Sequence, residues 1–195
     1  MSKNNSKRST GWIICMIIGV AALVAALFLW TGRRRAGRQA ADLSRQLTQT
    51  LEEVTVDTGS AWTAGEPPLY ASQGYSCLGL LQIEETELPV VTDDQNRERD
   101  LLPVWVSGTP ASGLRIEGPD YPEIFGLLSK VQAGDQIYFT DMLGERTCYV
   151  VETAGFVRSL DQVQDTGLVL LSRRIGGYRL VSCSRKEAAE SGQED

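Results

Sequence analysis

The sequence predicts a mainly β domain: a closed β-barrel of about eight short strands with short helices, preceded by a transmembrane helix and a helical stalk. Two observations carry this prediction. Residues 11–30 form an uncharged apolar run that is long enough to cross ~30 Å of hydrocarbon as a helix. After residue 72 the apolar pattern changes to short segments separated by Gly, Pro, Asp and Asn, which is typical of a barrel built from short strands.

The composition excludes several classes of function. The chain has 195 residues and no histidine, which removes Ser-His and Cys-His nucleophile pairs and every His-ligated zinc site. The formal net charge of −6 argues against a nucleic-acid partner. We therefore predict no nucleic-acid binding, no metal and no cofactor.

The cysteines give no metal or redox motif. The four are Cys15, Cys77, Cys148 and Cys183, and no CxxC spacing occurs among them. Cys15 lies in the apolar run, which leaves an odd number of thiols in the rest of the chain. One bridge between Cys148 and Cys183 is conceivable, but isolated buried thiols are the favoured interpretation.

Residues 11–31 are predicted to form an uncleaved, single-pass membrane anchor that follows a basic tail at residues 1–10. Trp12 and Trp30 bracket the apolar run, where interfacial aromatic residues are expected. The run exceeds the apolar region of a typical signal peptide. The basic segment Thr31–Arg35 also lacks a small-x-small cleavage site.

The flanking charges leave the orientation of the anchor nearly balanced. Basic residues before the run are Lys3, Lys7 and Arg8, and those after it are Arg33, Arg34, Arg35 and Arg38. The positive-inside rule thus favours a cytoplasmic C-terminal domain by one residue. Long domains are translocated with little regard to this balance, so the margin decides little.

Residues 32–54 are predicted to form a helical stalk, and residues 55–72 a linker rich in Gly, Pro and small polar residues. The stalk has a narrow apolar stripe with spacings of three and four: Ala40, Leu43, Leu47, Leu51 and Val54. Because the stripe covers only about two heptads, a solvated continuation of the membrane helix is favoured over a coiled coil.

Residues 73–186 are predicted to form the barrel, and the acidic residues 187–195 a disordered tail without apolar periodicity. The predicted strands are Cys77–Ile83, Glu87–Val91, Pro103–Ser107, Leu114–Glu117, Gln136–Thr140, Arg146–Val157, Leu168–Ser172 and Tyr178–Ser184. Turn residues bound each of them, which supports short strands over helices.

Six segments of the predicted barrel carry a resemblance to a known family. In chain order they are Gly79–Ile83 with Leu88–Val90, Ile116–Tyr121, Phe125–Leu128, Ala133–Asp141, Leu168–Arg173 and Tyr178–Val181. In order and spacing they resemble the sortases, the membrane-anchored cysteine transpeptidases of Gram-positive bacteria, in a class B or class D-like form. The resemblance implies a domain outside the cell, which we weigh above the one-residue charge margin.

The resemblance also implies a degenerate catalytic site. A sortase uses a Cys nucleophile, a His acid/base and an Arg that steadies the substrate or its oxyanion. In this chain Pro119 stands at the His position and Arg173 at the Cys position, and only Arg179 retains the family residue. Proline has no proton to give, and arginine is a permanent cation with no nucleophilic character.

Neighbouring residues offer no obvious replacement. Strand alternation predicts that Arg179, Val181 and Cys183 point to one face, with Cys183 about 13 Å along the strand from Arg179. Ser172 is expected on the face opposite Arg173. A serine hydroxyl without a base is also a poor nucleophile.

Charged residues nevertheless converge on the predicted site. Arg173, Arg174 and Arg179 form a cationic group with two possible carboxylate partners. It is read with equal weight as an ion-pair network or as a groove that holds a carboxylate or an extended peptide. The peptide-binding candidates are Arg179, Arg173, Asp120, Tyr121 and Glu117.

Three functions are compatible with these observations. The leading hypothesis is a catalytically inactive, membrane-anchored binding or accessory module in surface-protein or pilus assembly. Its partner would be a surface-protein or pilin peptide, or a companion active sortase. The second is a divergent transpeptidase or hydrolase with rewired residues, and the third is a purely structural subunit of a membrane complex.

Overall fold

The computed structural model describes residues 6–52, 67–93, 100–160 and 167–186. Most of the predicted linker and the acidic tail at 187–195 lie outside these residues. One helix, one 3-10 helix and nine strands position the site. They are α1 (Ser6–Glu52), β1 (Tyr70–Ser72), β2 (Tyr75–Ile83), β3 (Thr86–Val91), β4 (Val104–Ser107), β5 (Leu114–Gly118), the 3-10 helix (Phe125–Ser129), β6 (Gln136–Asp141), β7 (Arg146–Val157), β8 (Leu168–Arg174) and β9 (Gly177–Arg185).

The strands close into a barrel. Their order is β1-β2-β3-β4-β5-β8-β9-β7-β6, and β6 also pairs with β2, so eight strands from β2 to β9 form the ring. The predicted eight-stranded barrel is confirmed, and each predicted strand is present with both ends within two residues. The predicted linker is too long at its C-terminal end, because Tyr70–Ser72 pairs with β2 as an additional strand.

The main core fills the barrel because alternate residues of each strand face inward. Its largest fully buried side chains are Tyr149, Phe125 and Phe139. Phe125 and Leu128 of the 3-10 helix belong to the same core as the strands. The short segment that follows β5 is therefore anchored against the barrel.

The second half of α1 packs on the outside of the barrel. Ala40, Leu47 and Leu51 are almost completely buried. Leu47 and Leu51 belong to a second apolar cluster with residues of β2, β3 and β4, among them Cys77 and Val104. The solvated-stalk interpretation is thus wrong for this segment, because the stripe buries apolar surface against the strands instead of leaving it in water.

The first half of α1 exposes its apolar side chains. These are Met16, Ile17, Ile18, Val20, Leu23, Val24, Leu27, Phe28 and Leu29, each between 54% and 78% exposed. By length and composition this helix is apolar enough to cross a membrane, with a mean hydropathy of 2.3 in its most apolar window. The side chains of Trp12 and Trp30 lie outside the described part of the chain.

Candidate functional site

Three neighbouring strands place the candidate residues on two faces of one sheet. β5 pairs in parallel with β8, and β8 pairs antiparallel with β9. The inner face, which is continuous with the barrel core, carries Leu114, Ile116, Gly118, Leu168, Leu170, Ser172, Arg174, Arg179, Val181 and Cys183. The outer face carries Arg115, Glu117, Val169, Leu171, Arg173, Tyr178, Leu180 and Ser182.

The chain leaves β5 through a tight corner that begins at Pro119. The Pro119 carbonyl accepts hydrogen bonds from the backbone N–H groups of Tyr121 at 2.9 Å and Phe125 at 3.2 Å. A β-carbon on Gly118 would lie 2.7 Å from the ring of Phe125, so only glycine fits there without a shift. The corner is therefore held by the Pro119 carbonyl and by the contact between Gly118 and Phe125.

Asp120, directly after the corner, is held by Arg174. The Arg174 Nε donates to Asp120 Oδ2 at 2.9 Å, and Nη2 donates to Oδ1 at 3.0 Å. The carboxylate side chain is only 12% exposed and the guanidinium 36%. This two-point geometry is the strongest form of an arginine–carboxylate pair. Both carboxylate oxygens of Asp120 are thus engaged by one guanidinium, which disfavours a role as a general base.

Arg173, which the sequence resemblance predicts at the nucleophile position, lies on the outer face. Its side chain is 73% exposed, with Nη2 3.9 Å from Glu117 Oε1. Its guanidinium carbon lies 5.9 Å from the ring centre of Tyr178, the residue on β9 that is directly opposite Arg173. Both contacts are long, so the cation remains largely in solvent.

Arg179 lies on the opposite face from Arg173. A two-residue turn, Ile175-Gly176, joins β8 to β9 and sets a register in which Arg179 pairs with Ser172. Ser172 is completely buried, as expected for a residue facing away from Arg173. The predicted cationic group is therefore divided: Arg174 and Arg179 are on the inner face, and Arg173 is on the outer face.

The Ser172–Arg179 pair contains two buried polar atoms without hydrogen-bond partners in the described residues. Neither Ser172 Oγ nor Arg179 Nε is accessible to solvent, and neither has a hydrogen-bond partner within the described residues. Most buried polar atoms in native proteins are paired. Sequence reasoning considered Ser172 only as a failed nucleophile. The register that joins it to Arg179 was needed to see the two together.

Two tyrosines also lie in this region. Tyr121, predicted to bind peptide, is partly buried against the barrel core, and its carbonyl accepts the Gly126 N–H at 2.8 Å. Tyr178 was not predicted, and it is the residue that lies across from Arg173.

No described cysteine is placed to act at this site. Cys183 is in the barrel core, where burial, with a smaller contribution from the charge of Glu152, raises its pKa to about 12. Burial likewise raises the pKa of Cys77 to about 11. Cys148 is partly exposed, and its carbonyl accepts a hydrogen bond from the Lys186 N–H at 2.9 Å. Lys186 is seven residues beyond Arg179, which corresponds to roughly 23 Å of extended strand.

The Arg174–Asp120 and Arg173–Glu117 ion pairs should contribute unequally to the free energy of unfolding. Arg174→Lys replaces the two-point contact with Asp120 by a single ammonium contact, and we expect the free energy of unfolding to fall by about 1–2 kcal/mol. Arg173→Lys is the matched control and should cost less than about 0.5 kcal/mol, because its pair with Glu117 is long and exposed. Urea unfolding of the two variants measures the difference. Equal losses would contradict the assigned geometry.

Comparison with known proteins supports the fold. No family model matches the sequence, and no curated protein matches it. Among solved structures, sortase C1 of GBS pilus island 1 is 15% identical with a TM-score of 0.52, covering 83% of this chain and 88% of that one. Listeria monocytogenes sortase A is 15% identical with a TM-score of 0.51, covering 57% and 88%. Streptococcus pneumoniae sortase C is 17% identical with a TM-score of 0.50, covering 78% and 89%. At these identities the likeness is one of fold, and the domain is a sortase-like β-barrel.

Proposed function

We propose that this protein is a membrane-anchored, sortase-like binding module at the cell surface that has no transpeptidase activity. It would act as an accessory module in surface-protein or pilus assembly. Its partner would be a peptide segment of a surface protein or pilin, or a companion active sortase. The solved sortase C of Streptococcus pneumoniae is described as having pilin substrate specificity. That description is the basis for choosing this class of partner.

One observation carries the proposed inactivity. The outer face offers a solvated guanidinium, Arg173, where transpeptidation needs a thiolate, and Pro119 stands where it needs a proton donor. The nearest carboxylate after the corner, Asp120, is already bound by Arg174 at two points. Acyl transfer requires an activated nucleophile and a base within hydrogen-bond reach, and the described residues of this site supply neither.

The proposed binding role rests on exposed groups beside the site. Ile175, at the tip of the β8–β9 turn, is 98% exposed, and Phe156 on β7 is 51% exposed. Phe156 pairs with Arg179 in register, and Ile175 follows Arg174 directly in the chain. Exposed apolar side chains next to cations suit a partner that presents both apolar and acidic groups.

The proposed location follows from α1. Its exposed apolar side chains are suited to lipid, and the basic residues that flank the span are suited to headgroups. A long C-terminal domain can be translocated despite a one-residue excess of positive charge on its side. The choice of the extracellular side for the barrel rests on the resemblance to the sortases alone.

We expect the purified full chain to give no cleavage and no transfer of a Leu-Pro-x-Thr-Gly peptide above the protein-free background. The measurement is mass spectrometry of the peptide with an added amine acceptor, with and without a thiol-blocking reagent. Thiol-sensitive turnover that disappears in Arg179→Ala would overturn the proposed inactivity and favour a divergent enzyme.

The binding role has a separate test. Co-purification of partners with the wild-type chain is compared with that of Arg173→Ala, and with that of a variant in which Phe156 and Ile175 are both replaced by serine. Loss of the partner in these variants is expected for a surface-binding module. Retention of every partner would contradict the proposed binding surface and favour a structural membrane subunit.

A further inference from the structure

We propose that the second half of β7, Glu152–Val157, pairs edge to edge with the same segment of a second copy of this chain, in an antiparallel dimer centred on Gly155. Residues 152–156 are all exposed. One edge of the segment pairs with β9, and no strand among the described residues pairs with the other edge. An exposed strand edge presents unpaired N–H and C=O groups to which a further strand can bond.

The bare edge begins where β7 leaves β6. The pairing of β7 with β6 ends at Val150. The turn before β6 adds two more bonds, in which the Val151 carbonyl accepts the Gly134 N–H at 2.8 Å and the Val151 N–H donates to the Asp135 carbonyl at 2.9 Å. Directly after Val151 the register of β7 on β9 shifts by one residue. A β-bulge of this kind bends a strand, so the rest of β7 continues beside β9 alone among the described strands.

The exposed edge lacks the usual devices that prevent pairing between proteins. Thr153–Val157 contains no charged residue and no proline. Natural edge strands are commonly protected by charges, by proline or by a covering element. A β-carbon on Gly155 would meet no atom within 4 Å, so the centre of the segment is also uncovered on its face.

The charges at the two ends of the segment select a second copy as the partner. In an antiparallel pair centred on Gly155, Glu152 of each copy is directly opposite Arg158 of the other. Both side chains are exposed, and neither forms an ion pair within the described residues. Opposite charges across a strand pair are favourable, whereas like charges are unfavourable. Centring the pair on Ala154 or Phe156 instead places each charge opposite an uncharged residue.

The side chains between the two charges are compatible with this register. Phe156 is 51% exposed, and it is opposite Ala154 of the second copy, so a large ring meets a small residue. Thr153 is opposite Val157, and both are β-branched residues that favour strands. A contact of one short strand per copy is small and belongs to the weak, transient class of interfaces.

An extended segment of another protein is the alternative occupant of a bare edge. The second copy is favoured because it supplies opposite charges at the required spacing from its own Glu152 and Arg158. Such a dimer goes beyond the proposed function and does not depend on it, since it is detected with one purified chain and no other partner.

Disulfide trapping in the full chain in detergent tests the register. In a background of Cys15→Ser and Cys148→Ser, Gly155→Cys places two thiols directly opposite each other, with α-carbons about 4.5–5.5 Å apart and within reach of a disulfide. Thr153→Cys is the matched control, because it lies on the same face of β7 but about 13 Å along the strand from its counterpart. Under mild oxidation we expect at least tenfold more covalent dimer from Gly155→Cys.

Charge reversal tests the two ends of the segment. Adding Glu152→Arg to the Gly155→Cys chain places like charges opposite each other and should lower the yield of covalent dimer at least fivefold. Adding Arg158→Glu to that variant reverses both charges and should restore the yield. Restoration by a second substitution on the surface separates lost pairing from lost folding.

Equal yields from Gly155→Cys and Thr153→Cys would overturn the proposal, because random collision or association through α1 gives no preference for one register. A yield that the double reversal does not restore would also overturn it. Light scattering of the wild-type chain should show a dimer fraction that rises with protein concentration and falls in Glu152→Arg. A chain that stays monomeric at every concentration would contradict the dimer and favour a segment of another protein at this edge.

Discussion

Phe125→Ala is expected to lower the free energy of unfolding by about 3–5 kcal/mol, the range for removal of a buried aromatic ring from a well-packed core. Phe125 is completely buried in the barrel core. Its ring lies against Gly118, and its backbone N–H donates to the Pro119 carbonyl. The variant therefore removes the main apolar anchor of the corner that follows β5.

Urea unfolding of the full chain, followed by tryptophan fluorescence, measures this loss. Phe156→Ala is the matched control, because its ring is half exposed and should cost less than about 1 kcal/mol. Similar losses in the two variants would mean that Phe125 is not buried as described. Co-purification of partners with a folded Phe125→Leu variant then tests whether the corner that begins at Pro119 also contributes to partner binding.

The second large effect is on thiol chemistry. At pH 7 the thiolate fraction of Cys183 should be about 1000-fold lower than that of an ordinary cysteine, because burial raises its pKa from 9.0 to about 12. We expect alkylation of native Cys183 to be slower by at least this order, and that of Cys77, whose pKa burial raises from 9.0 to about 11, by at least about 100-fold, since the buried sulfurs are also out of reach of reagent. A sortase-like nucleophile would be alkylated rapidly under the same conditions.

A variant with Cys15→Ser and Cys148→Ser isolates the two buried thiols. Mass spectrometry should find no iodoacetamide adduct in the native state and two adducts per chain in urea. Raising the pH makes more thiolate, so the slow native rate should increase about tenfold per unit and show no plateau between pH 7 and 10. Rapid native labelling of Cys183, or a plateau below pH 9, would contradict the burial and support a working thiol.

The β8–β9 pair carries a guanidinium on each face of the sheet, Arg173 outside and Arg179 inside. The outer cation is solvated, whereas the inner one has a buried Nε that lacks a partner in the described residues.

Much of the fold was predictable because its signals are local. Alternating apolar residues identified all eight barrel strands within two residues at each end. Tyr70–Ser72 was assigned to the linker because a three-residue strand carries almost no periodicity, and only its pairing with β2 defines it. The absence of histidine needed no structure, and it excludes a His acid/base in this chain.

The sequence by itself thus determined the strand pattern, the apolar span and the absence of histidine. The tertiary structure decided which surfaces meet. The stripe at Leu47 and Leu51 is compatible with solvent or with a partner, and only the barrel supplies the surface that buries it. Likewise, a shift of one residue across the β8–β9 turn would exchange the faces of Arg179 and Tyr178, so the register alone brings Arg179 beside Ser172. Pairing between strands is a non-local contact, and side-chain spacing within one strand cannot specify it.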